Sequence, residues 1–522
     1  MVRRSWLLSR QLKEISKRSL SQFKDASNVP LSQPLDGGLS TSAKPVGVGK
    51  TFRETKMTKL SNGVRVCSEP HFGDYCTIGV AIESGCRFES SFTKGVSHIV
   101  EKLAFGATNR FPSRDEIHSV LEKSGGIIDC QSTRDTFLYA GSCHVTGVDA
   151  VVEVLANAVW MPLLQQDEVE EAKMITLYEI EDMTRKIECE PLITDWIHQA
   201  AFKGNTLGFS KFATSETLPK ITSRDVATYL SQMHSPPRMV VAGIGVDHDA
   251  FVTAVERHFQ LNQATWNVDR QLLLPKVPAV DDSLAQYTGG EIRQGADLSL
   301  LGVGTPYPHL AHVVLGFQGC SFKDDDFVPF CVLQSLLGGG GSFSAGGPGK
   351  GMYARLYTQV MNRCHWIYSA VAQNHSYSDD GLFCIHASCP PNRLQDALVV
   401  VMDQFLSLRK GTDKQELERA KVQLKSHLMM NLEVRPVMFE DLARQVLGHG
   451  TRRRPDDYAA KIENVTNSDI IRIAERMLAT KPSLVGYGEL DKLQTYTAVD
   501  QAAAKRNVEP LTKPSKFFRF GK

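Results

Sequence analysis

The sequence predicts an α+β fold built twice in one chain, and three observations predict it. Ser84-Gly85-Cys86 and Gln318-Gly319-Cys320 match at an offset of 234 residues, each closing a β-branched run that reads as a strand. Glu170, Ala172 and Lys173 match Glu418, Ala420 and Lys421 at an offset of 248, inside stretches of helical periodicity. Ile221 through Asp225 to Gly243, Ile244 and Gly245 matches Val465 through Asp469 to Gly486 and Gly488 at an offset near 245. Both of these runs read as helix, Pro-containing turn, then strand. The same elements in the same order mean two homologous halves, while period and order leave strand pairing open.

At 522 residues the chain is too long for one hydrophobic core. With 42% hydrophobic and 22% charged residues, and no apolar run of membrane-spanning length, the composition excludes a transmembrane protein and a largely disordered one. The 59 basic and 58 acidic side chains nearly cancel, so the overall basic excess of a general nucleic-acid binder is absent. Eleven cysteines, an odd number without a C-x-x-C pair, suit neither a disulfide framework nor a zinc knuckle. They point to buried thiols in a reducing compartment.

In chain order, residues 1–20 come first. Arg3, Arg4, Arg10, Lys13, Lys17 and Arg18 stand against Glu14 alone, and Leu8, Leu12 and Ile15 fall at helical spacing. This basic, Ser-rich amphipathic helix resembles a mitochondrial transit peptide. Its loss removes six positive charges and one negative, taking the net charge from +1 to about −4. Residues 26–50, rich in Ser, Gly and Pro, read as a flexible lead. The chain therefore divides into presequence and lead (1–50), first half (51–261), linker (262–290), second half (291–493) and basic tail (494–522).

In the first half, a helix running from Thr93 toward Phe105 carries His98-Ile99-Val100-Glu101-Lys102. Zinc hydrolases of the inverted motif need H-x-x-E-H, two imidazole ligands with a carboxylate to deprotonate the bound water. Here the second imidazole is replaced by Lys102, whose ammonium opposes a cation. The third ligand of such sites is a carboxylate on a later helix, and Glu179 is well placed for it. In a metal-free site Lys102 could pair with Glu101 or Glu179; on residue types alone an ordinary helix face is the favoured reading. The helix Asp167–Met183 is acidic, either a solvated face or a docking surface for basic peptides.

In the second half, His309 and His312 have ligand-like spacing but open an apolar strand, so a structural role is expected. Asp324-Asp325-Asp326 reads as a solvated turn. After a helical run from Phe330 to Leu337 the two halves fall out of step by about 11 residues. The insertion is Gly338-Gly339-Gly340-Gly341-Ser342-Phe343-Ser344-Ala345-Gly346-Gly347-Pro348-Gly349-Lys350-Gly351. It is no phosphate loop, since Gly351 follows Lys350 and a helix precedes it. Its glycines leave backbone groups open to follow an extended polypeptide. A passive linker is the alternative, although Phe343, Pro348 and Met352 are unusual in a spacer.

Gly95 through Phe105, Gly338 through Met352, and Glu433-Val434-Arg435-Pro436-Val437-Met438-Phe439-Glu440-Asp441 together resemble the pitrilysin-like metallopeptidase family. The likeness is to its mitochondrial processing-peptidase branch and covers about residues 55 to 490. The resemblance implies halves that are each a duplicated α+β unit and that enclose a chamber. It implies a substrate-recognising alpha-type subunit, itself inactive within a zinc metalloendopeptidase, that removes presequences from imported precursors. His98, Glu101, Lys102 and Glu179 would then be a degenerate motif without metal, and Gly338 to Gly351 the substrate-binding loop. Zinc is expected in the partner beta subunit and no cofactor in this chain. Basic amphipathic presequences would be the substrates, in the mitochondrial matrix or at the inner membrane. The runner-up is a structural core subunit of the respiratory cytochrome bc complex.

Overall fold

In the computed structural model, the described residues are 54–186, 189–299, 301, 308–341 and 352–512. The presequence and lead, most of the glycine-rich loop (342–351) and the last ten residues lie outside them.

The first half folds round one six-stranded sheet. Its strands are β1 (Lys56–Lys59), β2 (Arg65–Glu69), β3 (Tyr75–Ile82), β4 (Ile127–Ser132), β5 (Phe137–His144) and β6 (Met239–Ile244), in the order β1-β2-β6-β3-β5-β4. The second sheet comprises β7 (Gly290–Gly295), β8 (Ala311–Gln318), β9 (Gly339–Gly341), β10 (Ser369–Ser376), β11 (Gly381–Cys389) and β12 (Ser483–Gly488), in the order β7-β12-β8-β11-β10-β9. Five strands correspond one to one, including the single parallel pair of each sheet, β2 with β6 and β7 with β12. What differs is the edge: β1 is added at one end of the first sheet and β9 at the other end of the second. The fold is α+β in two homologous halves, with one sheet in each.

The sequence repeat has a physical basis in paired local contacts. Thr222 and Asp225 form a reciprocal capping box at the start of Ser223–Met233, and Thr466 and Asp469 form the same box before Asn467–Leu478. Lys173 bonds Glu170 at 2.8 Å one turn earlier, and Lys421 bonds Glu418 at 3.0 Å. Side chains buried between sheet and helices build one core per half, around Trp160, Tyr139 and Phe251 in the first and Phe317, Phe383 and Phe405 in the second.

The halves exchange one helix each. Glu190–Ala201, from the first half of the sequence, packs Ile193, Ile197 and Ala201 on the second sheet against Val314, Leu382 and Val485. Arg435–His449, which starts 245 residues later, packs Met438, Phe439, Leu442 and Val446 on the first sheet against Ala81, Val240 and Ala242. Buried ion pairs fasten the crossings and join the halves directly. Arg134 meets Asp195 at 2.6 Å, Arg87 makes a two-pronged contact with Asp379 at 2.6 and 2.9 Å, and Arg452 joins Glu69 at 3.0 Å.

Three expectations are corrected. Asp326 is 7% exposed and, with Asp324, receives Arg472 and Arg476 of Asn467–Leu478, so this turn is an ionic clamp rather than a wet loop. Residues 494–512 are no free tail: in the helix Tyr496–Lys505, Val499, Ala502 and Ala503 fall on one face and complete the second core. The segment 262–290 is not a loose connection throughout, because Trp266 is buried in the first core with Leu272, Leu273 and Val280 packed beside it.

Candidate functional site

The helix bearing the degenerate motif runs Val96–Leu103, shorter at both ends than the sequence suggests. Gly95 precedes it at φ 86°, and a Cβ there would lie 2.4 Å from Ala213 Cβ, so glycine is required twice over. With no side-chain cap of its own, the helix has its first N–H groups satisfied by Glu89, which accepts from Gly95 N at 2.7 Å and Ser97 N at 2.8 Å. Glu89 is fully buried, and burial pushes its carboxyl up to about 7 despite those donors.

One helical turn brings His98 and Lys102 to the same face, and both meet one oxygen of Glu179. His98 Nε2 lies 3.1 Å and Lys102 Nζ 2.6 Å from Glu179 Oε2. Glu179 sits on Gln166–Arg185, the long helix packed against Val96–Leu103. The Ala213 N–H donates to His98 Nδ1 at 3.4 Å, so Nε2 carries the proton and donates to Glu179. Glu101 accepts a short hydrogen bond from the Ser132 hydroxyl of β4, and the ammonium groups of Lys102 and Lys211 each lie 3.7 Å from it. Each carboxylate of the motif is thus held by a cation of the chain itself.

Those contacts do not fit zinc. His98 would have to give up its Nε2 proton to offer a lone pair toward Glu179, and the atom nearest the shared oxygen is an ammonium nitrogen with no lone pair to give. Glu101, the position of the water-activating base, is occupied by Ser132 and flanked by two lysines. The site is a closed ionic cluster, and no hydrolytic step follows from it.

The hydrogen bonds from His98 and Lys102 hold the Glu179 carboxyl at about 2, below its usual 4.5. A carboxylate whose folded value is depressed stabilises the fold above the unfolded value and loses that contribution as pH falls toward the folded one. Glu179 is about a third exposed, so solvent reduces the gain to less than about 1 kcal/mol. Wild type is therefore expected to exceed Glu179→Gln in stability at neutral pH, the gap narrowing as pH falls from about 5 to 3. Urea unfolding of both proteins across that range measures it; a gap independent of pH would show that the pair is not ionic.

The structure brings His98, Glu101, Lys102 and Glu179 together as the sequence suggests. It adds Glu89, Ser132, Lys211 and Ala213, which come from three other segments and carry no helical periodicity linking them to the motif. The rest of the acidic helix is mostly engaged within the chain: Glu168 accepts from Ala107 N at 2.8 Å across to another segment, while Glu181 pairs with Arg185 and Asp182 with Lys186 one turn on. His309 and His312 diverge, His312 lying buried beside His386 at 3.1 Å while His309 faces Glu489.

Of the glycine-rich loop, Gly338 to Gly341 are described. Gly339–Gly341 form β9 and pair antiparallel with Ser369–Val371, extending the second sheet by one edge strand. Gly339 has φ 99°, and a Cβ there would fall 1.9 Å from the Ala370 carbonyl oxygen, so its close approach to β10 needs glycine. The described start of the insertion thus presents backbone without side chains at the sheet edge. Ser342, Phe343, Ser344, Ala345, Gly346, Gly347, Pro348, Gly349, Lys350 and Gly351 lie outside the described residues.

Two family models match the chain, "Insulinase (Peptidase family M16)" over residues 65–215 and "Peptidase M16 inactive domain" over residues 220–424. A relative from Caenorhabditis elegans, mitochondrial-processing peptidase subunit alpha, is 54% identical over 98% of this chain and 99% of its own. The protein of the same name from Homo sapiens is 44% identical over 92% of this chain and 90% of its own. A chain in a solved structure of Complex III2 from Candida albicans superposes with a TM-score of 0.69 over 87% of this chain and 99% of that one, at 18% identity. At that identity the likeness is one of fold. Identity near one half over almost the full length is far more specific: the chain belongs to the M16 peptidase family and, within it, to the alpha subunits of the mitochondrial-processing peptidase.

Proposed function

We propose that this chain is the non-catalytic, substrate-recognising half of a heterodimeric peptidase that removes presequences from proteins imported into mitochondria. The observation that carries the reading is the Lys102 ammonium, 2.6 Å from Glu179 on the helix face where the family's second zinc imidazole belongs. A beta subunit with the complete H-x-x-E-H motif would supply the zinc and the chemistry, and this chain would present the substrate. The core-subunit alternative rests on a fold likeness at 18% identity and is not favoured. The matrix is the proposed location, with residues 1–20 as the chain's own presequence.

In this reading the glycine-rich insertion receives the substrate. A basic amphipathic segment has to be held extended for cleavage, and a backbone free of side-chain bulk follows many such sequences. The mature chain, at about −4, favours a basic ligand. Deleting residues 342–351 is expected to weaken presequence binding by about tenfold or more, roughly 1.4 kcal/mol. The unfolding midpoint of the assembled pair should move by only a few degrees, since the segment removed carries a single large apolar side chain, Phe343. Fluorescence anisotropy with a labelled presequence peptide, with single-turnover cleavage, tests this. Unchanged affinity and unchanged turnover would reduce the insertion to a spacer.

A further inference from the structure

Two cysteines far apart in sequence are brought face to face by the register of the first sheet. Cys76 on β3 and Cys143 on β5 are direct antiparallel partners, which sets their Cα atoms within the range a disulfide spans. Their sulfurs are 3.6 Å apart, and the Cys76 thiol is also 3.4 Å from the Cys143 carbonyl oxygen. Rotation about the two Cα–Cβ bonds could close the remaining gap without moving the strands. All eleven cysteines are free thiols in this structure.

We propose that Cys76 and Cys143 are a reversible oxidation site, closing a disulfide across β3 and β5 when the protein meets hydrogen peroxide. Both side chains are nearly inaccessible, 1% and 0% exposed, so the route matters. A surface cleft of about 490 Å³ is lined by Val145 and Thr146, which follow Cys143 in the chain, and by Gly245. A Cβ added at Gly245 would lie 3.7 Å from the Cys76 Cα. The cleft is thus lined by residues that adjoin the two cysteines rather than by the cysteines themselves, and a peroxide molecule is small enough to reach the sulfurs through a local opening of the strand ends.

The chemistry balances within the pair. The Cys76 sulfur attacks one peroxide oxygen, the O–O bond breaks, and the products are a sulfenic acid and one water. The Cys143 thiol then attacks the sulfenic sulfur, the S–O bond breaks, and the departing oxygen leaves as a second water. Two thiols lose two hydrogens and two electrons, and the peroxide is reduced to two waters. The order of roles follows from the contact: a hydrogen bond from Cys143 lowers the Cys76 thiol below its usual range and raises that of Cys143. Burial instead pushes Cys86, Cys331 and Cys384 up to about 12, which leaves them inert.

The experiment treats the folded full chain with hydrogen peroxide, unfolds it in an alkylating reagent and maps the peptides by mass spectrometry. The expected product is one cross-linked pair containing Cys76 and Cys143, about 2 Da lighter than the two reduced peptides and restored by dithiothreitol. The same sample should unfold at a higher temperature than the reduced one, because the link constrains the unfolded chain. Cys143→Ala should abolish the cross-link and leave Cys76 trapped as a sulfenic acid by dimedone; if that variant does not fold, the wild-type map decides alone. Recovery of both cysteines as alkylated thiols, or cross-links formed mainly by other cysteines, would overturn the proposal.

Discussion

Lys102→His is expected to raise the zinc affinity of this chain by about 10³-fold or more, because it removes a fixed positive charge and supplies a second imidazole in one change. The scaffold for a ligand set is otherwise in place. His98 and Lys102 share one helix face, and Glu179 already directs one oxygen at both, 3.1 and 2.6 Å away. With imidazole at 102, Glu179 loses its ammonium partner, and a divalent cation becomes the group that satisfies its charge. Peptidase activity is not expected to follow, since Ser132 and Lys211 still hold Glu101 away from a water-activating role. Zinc titration monitored by calorimetry, with metal content after dialysis, gives the result. Equal affinities for wild type and variant would mean that Lys102 is not what excludes the metal.

The second large effect is predicted at Arg134, in the turn between β4 and β5. Its guanidinium is buried, bonded to Asp195 Oδ1 at 2.6 Å and to the carbonyls of Leu207 at 3.2 Å and Phe209 at 2.5 Å. Asp195 belongs to the helix that crosses to the second sheet, and it also accepts from Lys211 N at 2.9 Å and Ser210 Oγ at 2.7 Å. Arg134 therefore ties three things together: the first sheet, the crossing helix, and the segment that presents Lys211 and Ala213 to the ionic cluster. Arg134→Met leaves Asp195 as a buried charge without a counter-ion, at a cost of about 3–5 kcal/mol. In a chain this size the unfolding midpoint should fall by roughly 3–5 °C. Adding Asp195→Leu to it should recover part of the loss, which distinguishes an unpaired charge from lost packing. A drop of a degree or less for Arg134→Met would show that the crossing is held by apolar contacts alone.

The parts of this architecture that were legible in the sequence are those written in local contacts. Thr222 with Asp225 and Thr466 with Asp469 are three residues apart, and Lys173 with Glu170 and Lys421 with Glu418 likewise, so duplication of the fold survives as duplication of spacing. The change of offset placed an insertion at residues 338–351, of which the described residues Gly339–Gly341 form an extra edge strand on β10. The exchange of helices was not legible. An amphipathic pattern such as Ile193, Ile197 and Ala201 says that one face is buried, and it is equally satisfied by either sheet. For the same reason helical spacing put His98 and Lys102 on one face, and the ligand pattern of such motifs pointed to Glu179 on a later helix, while Ser132, Lys211 and Ala213 were missed. Those three reach the cluster through β4 and an irregular loop, where no period relates sequence to space.

The central claim is that this chain recognises substrate and leaves metal chemistry to its partner. It is tested most directly by metal analysis of the chain purified alone and again after reconstitution with a beta subunit carrying the complete motif. The account predicts no tightly held zinc and no presequence cleavage for the chain alone, then one zinc per reconstituted pair with cleavage restored. Stoichiometric zinc in the isolated chain, with cleavage activity lost on Glu101→Gln, would contradict it.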